Sequence, residues 1–106
     1  MRVPKLSHIQ FMILTLLQVK DASGKEIRDA LRRSGVRRSG PGFYQIMARM
    51  EDAGFVKGEY RQEIVASQII RERRYEITTI GRRASRDSRD FYLELIGRLD
   101  SASVPA

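Results

Sequence analysis

Apolar residues fall at helical spacing along the first half of the chain and switch to strand-like runs after Gly54. Ser7 has the character of an N-cap, and Ile9, Met12, Ile13, Leu16 and Leu17 follow as one stripe, predicting a first helix to about Lys20. Ser23 and Glu26 stand at capping-box spacing ahead of Ile27, Ala30 and Leu31, so a second, short helix ends near Gly35. Arg37 to Gly42 form a loop in which Ser39 or Gly40 can cap and Pro41 suits a first helical turn. The third helix, about Pro41 to Ala53, turns Phe43, Met47 and Met50 inward, and Gly54 stops it.

Beyond Gly54 the stretches Phe55–Ile64 and Ile69–Ile77 are rich in Val, Ile and Tyr around a polar break at Ala66-Ser67-Gln68. They predict an antiparallel hairpin with an unusually apolar tip and an open register. Thr78 then caps a last helix to about Leu99, with Ile80, Ala84, Phe91, Leu95 and Leu99 on one side, and the tail from Ser101 to Ala106 is expected to fray. Three helices, a hairpin and a final helix predict a mainly α fold with a β-hairpin wing, a winged helix-turn-helix. Residues 1–78 make up its nucleic-acid-binding domain, and 79–106 an added helix and tail.

Composition narrows the chemistry. In 106 residues there is room for one domain and one modest core, and the absence of cysteine excludes disulfides and cysteine-rich metal sites and suits a reducing cytoplasm. Arg2 and Lys5 ahead of Phe11–Leu17 have a faint signal-peptide character, but Gln10 and Thr15 interrupt that neighbourhood and no cleavage site follows. No membrane partner is expected. The net charge is +7, and its placement says more than its size. Residues 23–49 hold seven Lys and Arg against two acids, whereas from Tyr75 onward five arginines meet five acids. The asymmetry predicts a module that faces a polyanion, followed by a segment with a different task.

With Phe43, Met47 and Met50 inward, the outward side of the third helix presents Tyr44, Gln45, Ala48 and Arg49. Gln45 and Arg49 can pair with adenine and guanine edges and Ala48 can touch a thymine methyl, while Tyr44 suits a phosphate. The competing reading is an ordinary solvated helix face. Lys25, Arg37, Arg38, Ser39 and Gly40 are candidates for the duplex backbone, and Arg61, Arg71, Arg73 and Arg74 for wing contacts, though charges on a strand edge also guard against aggregation. The methionines are core filler and His8 lacks partner ligands, so no metal or cofactor is expected. A single His, no cysteine nucleophile and no phosphate-cradling Gly-Lys-Ser/Thr loop argue against an enzyme.

Three ordered blocks resemble PadR-type transcriptional regulators. Gly42-Phe43-Tyr44-Gln45-Ile46-Met47-Ala48-Arg49-Met50-Glu51-Asp52-Ala53-Gly54-Phe55-Val56 is similar to that family's recognition helix, with Met47 and Met50 where leucines are usual. Arg73-Arg74-Tyr75-Glu76-Ile77-Thr78-Thr79-Ile80-Gly81 is similar to its basic-Tyr-x-Leu-Thr-x-x-Gly signature, and Ser23-Gly24-Lys25-Glu26-Ile27 follows the first helix as in relatives. The resemblance, over about residues 9–85, implies a repressor that binds double-stranded DNA at an inverted repeat as a homodimer. It also implies a dimer-forming C-terminal helix of the short subtype, and it leaves room for a small aromatic effector. The residues agree on the helix: Phe91, Tyr92, Leu95, Ile96 and Leu99, with Leu93, are too apolar for a solvated surface. The alternatives are a helix folded onto its own domain and, for function, a winged-helix adaptor that binds proteins without specific DNA recognition.

Overall fold

A computed structural model describes residues 3–102 and follows the expected element order. Helix α1 (His8–Val19) opens on a capping box in which the Gln10 amide donates to Ser7 Oγ at 3.2 Å and the Ser7 amide to Gln10 Oε1 at 3.0 Å. Its buried residues are Ile9, Ile13, Leu14 and Leu17. Leu16, expected on the inner stripe, is instead exposed, and Leu14 takes its place. The cause is a second neighbour on the Phe11–Leu14–Gln18 side of the helix. There the last helix, α4 (Thr79–Ala102), crosses α1, and Gln18 Nε2 donates to Ser85 Oγ at 2.8 Å.

A two-residue strand, β1 (Ala22–Ser23), follows and was not expected, being too short to show any alternation. Its Ser23 has two tasks, pairing with Arg74 in the sheet and capping α2 (Gly24–Arg33) through the expected box with Glu26. Helix α3 (Gly40–Asp52) is capped by Ser39, whose Oγ accepts from the Gly42 amide at 3.1 Å. It stops where Gly54 enters the left-handed region at φ +79°, which lets the Phe55 amide reach back to the Met50 carbonyl at 2.9 Å.

Strands β2 (Val56–Val65) and β3 (Gln68–Ile77) form the hairpin, and the sheet order is β1-β3-β2, antiparallel throughout. The register that the sequence left open is set by a two-residue turn, Ala66-Ser67, so that Val65 faces Gln68 and Ile64 faces Ile69. Both turn residues have positive φ, 51° and 66°, the backbone that lets a tight turn follow the strands' twist. Thr78 caps α4 by accepting from the Gly81 amide at 3.0 Å, while its hydroxyl points at the carbonyls of Gly54 and Phe55.

One core joins these parts. Ile9, Ile13, Leu14 and Leu17 of α1 meet Ile27 and Leu31 of α2, Phe43, Met47 and Met50 of α3, and Val56 and Tyr75 of the sheet. Helix α4 touches this core through Ala84 and buries Ser85 and Ser88 rather than Ile80, which lies exposed against the expected stripe. Small side chains let α4 approach α1 closely, and Ile80 is turned off that contact. Two arms leave the body: the outer hairpin, exposed on both faces from Arg61 to Ile70, and the second half of α4. They account for a radius of gyration of 17.0 Å, above the roughly 13 Å of a compact chain of this size. Of the tail expected to fray, Ser101 and Ala102 are helical, and residues 103–106 lie outside the described part.

Candidate nucleic-acid interface

Burial of Phe43, Met47 and Met50 at 0% exposure fixes how α3 is turned. Tyr44, Gln45, Ala48 and Arg49 are all exposed on its far side, as expected from the spacing. Tyr44, Ala48 and Glu51 form one row along the helix, and Gln45, Arg49 and Asp52 the next. The Tyr44 ring leans back across the start of α2, where a Cβ on Gly24 would meet its hydroxyl at 2.6 Å. A side chain at position 24 would push the Tyr44 ring aside, and Tyr44 and Lys25 share the surface at the α2 N-terminus. Nearby, burial alone would raise the Glu26 carboxyl, but the Ser23 hydrogen bonds and the Arg74 guanidinium outweigh it and hold it below the usual carboxylate range.

Ahead of α3, Arg37, Arg38 and Ser39 are exposed, and Gly40 is the first residue of the helix. Arg28 and Arg32 of α2 join Arg37 and Arg38 around a concavity of about 250 Å³ floored by Leu31, Val36 and Phe43, with no acid in its lining. Arg28 lies 5.9 Å from the Phe43 ring centroid and beside Gly40. Sequence reasoning passed over Arg28. Its signal was available: it stands one residue after Ile27 of the inward stripe, on the helix edge next to the basic loop.

The wing arginines divide. Arg73 donates to Glu51 Oε1 at 2.7 and 3.2 Å and to the Gly58 carbonyl at 3.3 Å, tying the base of the wing to the end of α3. Its hydrogen bond to Glu51 raises its already high pKa despite partial burial. Arg74 is held by Glu26 at 3.1 Å, Glu72 at 3.2 Å and Asp21 at 3.5 Å; burial would lower its pKa, but these acids raise it. Two of the four arginines expected at the wing contact, Arg73 and Arg74, thus have their charged heads inside the chain's own ion pairs. Arg61 is exposed, 3.9 Å from Glu59 and 4.0 Å from Asp21. Arg71 is exposed and stacks 4.6 Å from the Tyr60 ring centroid, with Arg73 at 4.8 Å on the same ring. Tyr60, not singled out from the sequence, aligns both guanidinium groups.

On α4, Phe91 is half-buried and meets Tyr92 edge-on at 5.2 Å. Tyr92, Leu93, Leu95, Ile96 and Leu99 are exposed, Leu93 at 60% and Ile96 at 54%. Among the described residues no group of His, Cys, Asp and Glu could hold a metal ion, and no helix is long and apolar enough to cross a membrane.

The profile of the transcriptional regulator PadR-like family matches residues 13–87. No curated protein matches the sequence. Among solved structures, the chain resembles a transcriptional regulator from Clostridium thermocellum at 25% identity and a TM-score of 0.70, with 92% of this chain and 91% of that one covered. A PadR family transcription regulator from Clostridium difficile is similar at 21% identity and a TM-score of 0.76, covering 90% and 97%. Bacillus subtilis PadR, solved in complex with operator DNA, is similar at 20% identity and a TM-score of 0.62 over 76% of this chain and 47% of that one. With the winged-helix fold, the outward α3 face and a family match across most of its length, the chain belongs to the PadR-like family of transcriptional regulators.

Proposed function

We propose that this protein is a repressor that binds an inverted-repeat operator in double-stranded DNA as a homodimer. The observation that carries the reading is the orientation of α3: its apolar side is closed by its own core, which leaves Gln45, Ala48 and Arg49 outward for base edges in the major groove. Tyr44, Lys25, Arg37, Arg38, Ser39 and Gly40 flank that row and serve the phosphates, joined by Arg28. Arg71 extends the contact along the wing and Arg61 serves the duplex from the wing's other face, while Arg73 and Arg74 hold the wing against α3 and α2. The exposed apolar side of α4 packs on its symmetry mate, which sets two α3 helices about 34–36 Å apart on one side of a duplex. A small aromatic effector seated at that dimer interface would shift the spacing and release the operator.

Selection of bound fragments from a random duplex library tests this reading. The expected winner is an inverted repeat, bound with an affinity that falls steeply as salt rises. Arg49→Ala and Gln45→Ala should each cost about 1–3 kcal/mol on the winner and relax preference at one base position per half-site. A non-palindromic winner counts against the dimer. Unchanged binding by both variants overturns the base-reading assignment. Salt-insensitive, weak DNA binding favours a protein-binding adaptor instead.

A further inference from the structure

The tip of the hairpin carries an apolar surface that neither the α3 face nor the α4 face uses. Ile64 is 79% exposed and Ile69 72%, and Val65 and Ile70 beside them are also exposed. Single exposed aliphatic residues need no account, but four branched ones around a two-residue turn form a patch.

Strand alternation sorts the hairpin into two faces. Ile64 and Ile69, which are register partners, share one face with the pairs Gln62–Arg71 and Tyr60–Arg73. That face holds no acid, and at its base Arg73 is bonded to Glu51, in the same α3 row as Tyr44 and Ala48. A duplex lying on α3 therefore meets it. The opposite face mixes Glu59, Glu63, Glu72 and Glu76 with Lys57, Arg61 and Arg74, and has Val65 and Ile70 at its tip. The tip is thus apolar on both sides, while only one side of the shaft carries arginines without strand acids beside them. A protein surface would cover one face. A slot with two walls covers both, and the sugars of a duplex minor groove supply such walls. A two-stranded ribbon is about 10 Å thick with its side chains, whereas the groove of straight B-form DNA is about 6 Å wide. Entry requires the groove to open.

We propose that the wing tip is an apolar wedge: Ile64 and Ile69, backed by Val65 and Ile70, enter the minor groove beside each half-site, part a base step and bend the duplex. Arg71, aligned by Tyr60, holds the flanking phosphate as the tip enters. The inference rests on the DNA-binding reading and adds to it a deformation that base contacts by α3 do not require. Flexible pyrimidine–purine steps are the favoured entry points, since they unstack most readily.

The test uses the full chain and the selected operator duplex. DNA bending is read from the position dependence of gel mobility, and unstacking from 2-aminopurine placed at successive flanking steps. The wild-type protein should bend the duplex by about 20–90° and raise 2-aminopurine emission at one step on each side. The double variant Ile64→Thr and Ile69→Thr keeps β-branched residues at exposed positions, so its circular dichroism and α3 base preference should not change. It should bind about tenfold more weakly, as expected from shortening two apolar side chains that become buried, and leave the duplex straight. A straight wild-type complex, or equal bending by the variant, overturns the wedge and leaves the operator reading standing. Failure of the wild-type protein to bind any duplex removes both. A variant that alters self-association while bending DNA normally overturns the wedge and makes the tip a contact between chains.

Discussion

Helices α3 and α4 are both amphipathic, yet only one is completed by its own chain. In α3 the apolar side chains Phe43, Met47 and Met50 are fully buried, and what remains outside is polar apart from Ala48 and the Tyr44 ring. In α4 the first half packs through Ala84, Ser85 and Ser88, and the second half leaves Tyr92, Leu93, Leu95 and Ile96 in solvent. The difference separates two tasks. A helix whose apolar side is satisfied can be held rigidly and offer a defined polar surface. A helix whose apolar side is open asks for another molecule, and a second copy satisfies both open faces at once.

The largest effect should come from opening the closed helix. Phe43→Ala removes a fully buried ring that packs edge-on against Tyr44 at 5.0 Å and floors the arginine-lined concavity. Denaturant unfolding should show a loss of about 3–5 kcal/mol, a large share of the stability of a domain this small. Leu93→Ala on α4, measured at concentrations where the chain is monomeric, should cost little. If the two variants lost similar stability, the contrast between the helices would fail.

Much of this contrast was legible in the sequence because it depends on spacing within single elements. Phe43, Met47 and Met50 follow the helical period closely, and Ser7, Ser23, Ser39 and Thr78 each stand where a cap is needed. Features that depend on two elements were not legible. Leu14 and Leu16 are equally apolar, and only the position of α4 across α1 decides which is buried. Strand β1 exists because Ala22 and Ser23 fall beside Tyr75 and Arg74, a meeting no two-residue pattern announces. The wing register was open because Ala66-Ser67 lacks the glycine or asparagine that marks such turns. Likewise, four wing arginines read alike along the chain, and their division follows from where Glu51 and Glu26 come to lie.

The next effect acts on the open helix and should spare the fold. Ile96→Glu places a carboxylate in the middle of the exposed apolar face, and two-fold symmetry would bring two such charges toward one interface. Like charges facing each other in a desolvated contact cost several kcal/mol, so the dimer dissociation constant should rise at least about 100-fold. Light scattering should then report the 12.2 kDa chain mass instead of twice that value, with unchanged helical signal. Half-site affinity should persist and full-operator affinity collapse, because joined half-sites gain from effective concentration. A dimeric Ile96→Glu variant would move the interface elsewhere on the molecule.

The smallest effect tests how closed the α3 side of the molecule is, through a buried group that titrates. Tyr75 is 2% exposed, paired with Ala22 on one side and Gly58 on the other. Burial, reinforced by Glu51 and opposed by Arg73, pushes its phenol up to about 12. Below the ordinary tyrosine value of about 10 the folded and unfolded chains both keep this proton, and it contributes no pH dependence. As pH rises from there through the folded value, the unfolded chain releases the proton first. It then binds fewer protons than the folded chain, so stability falls with pH. That rise corresponds to about 2–3 kcal/mol, lost progressively over that window and not before it. Tyr75→Phe keeps the ring and removes the proton, so its denaturation midpoint should stay flatter between pH 10 and pH 12, as the phenol's shift requires. An equally steep decline in Tyr75→Phe would mean that the core beneath α3 admits water around this residue, and that the closed helix is less closed than its neighbours suggest.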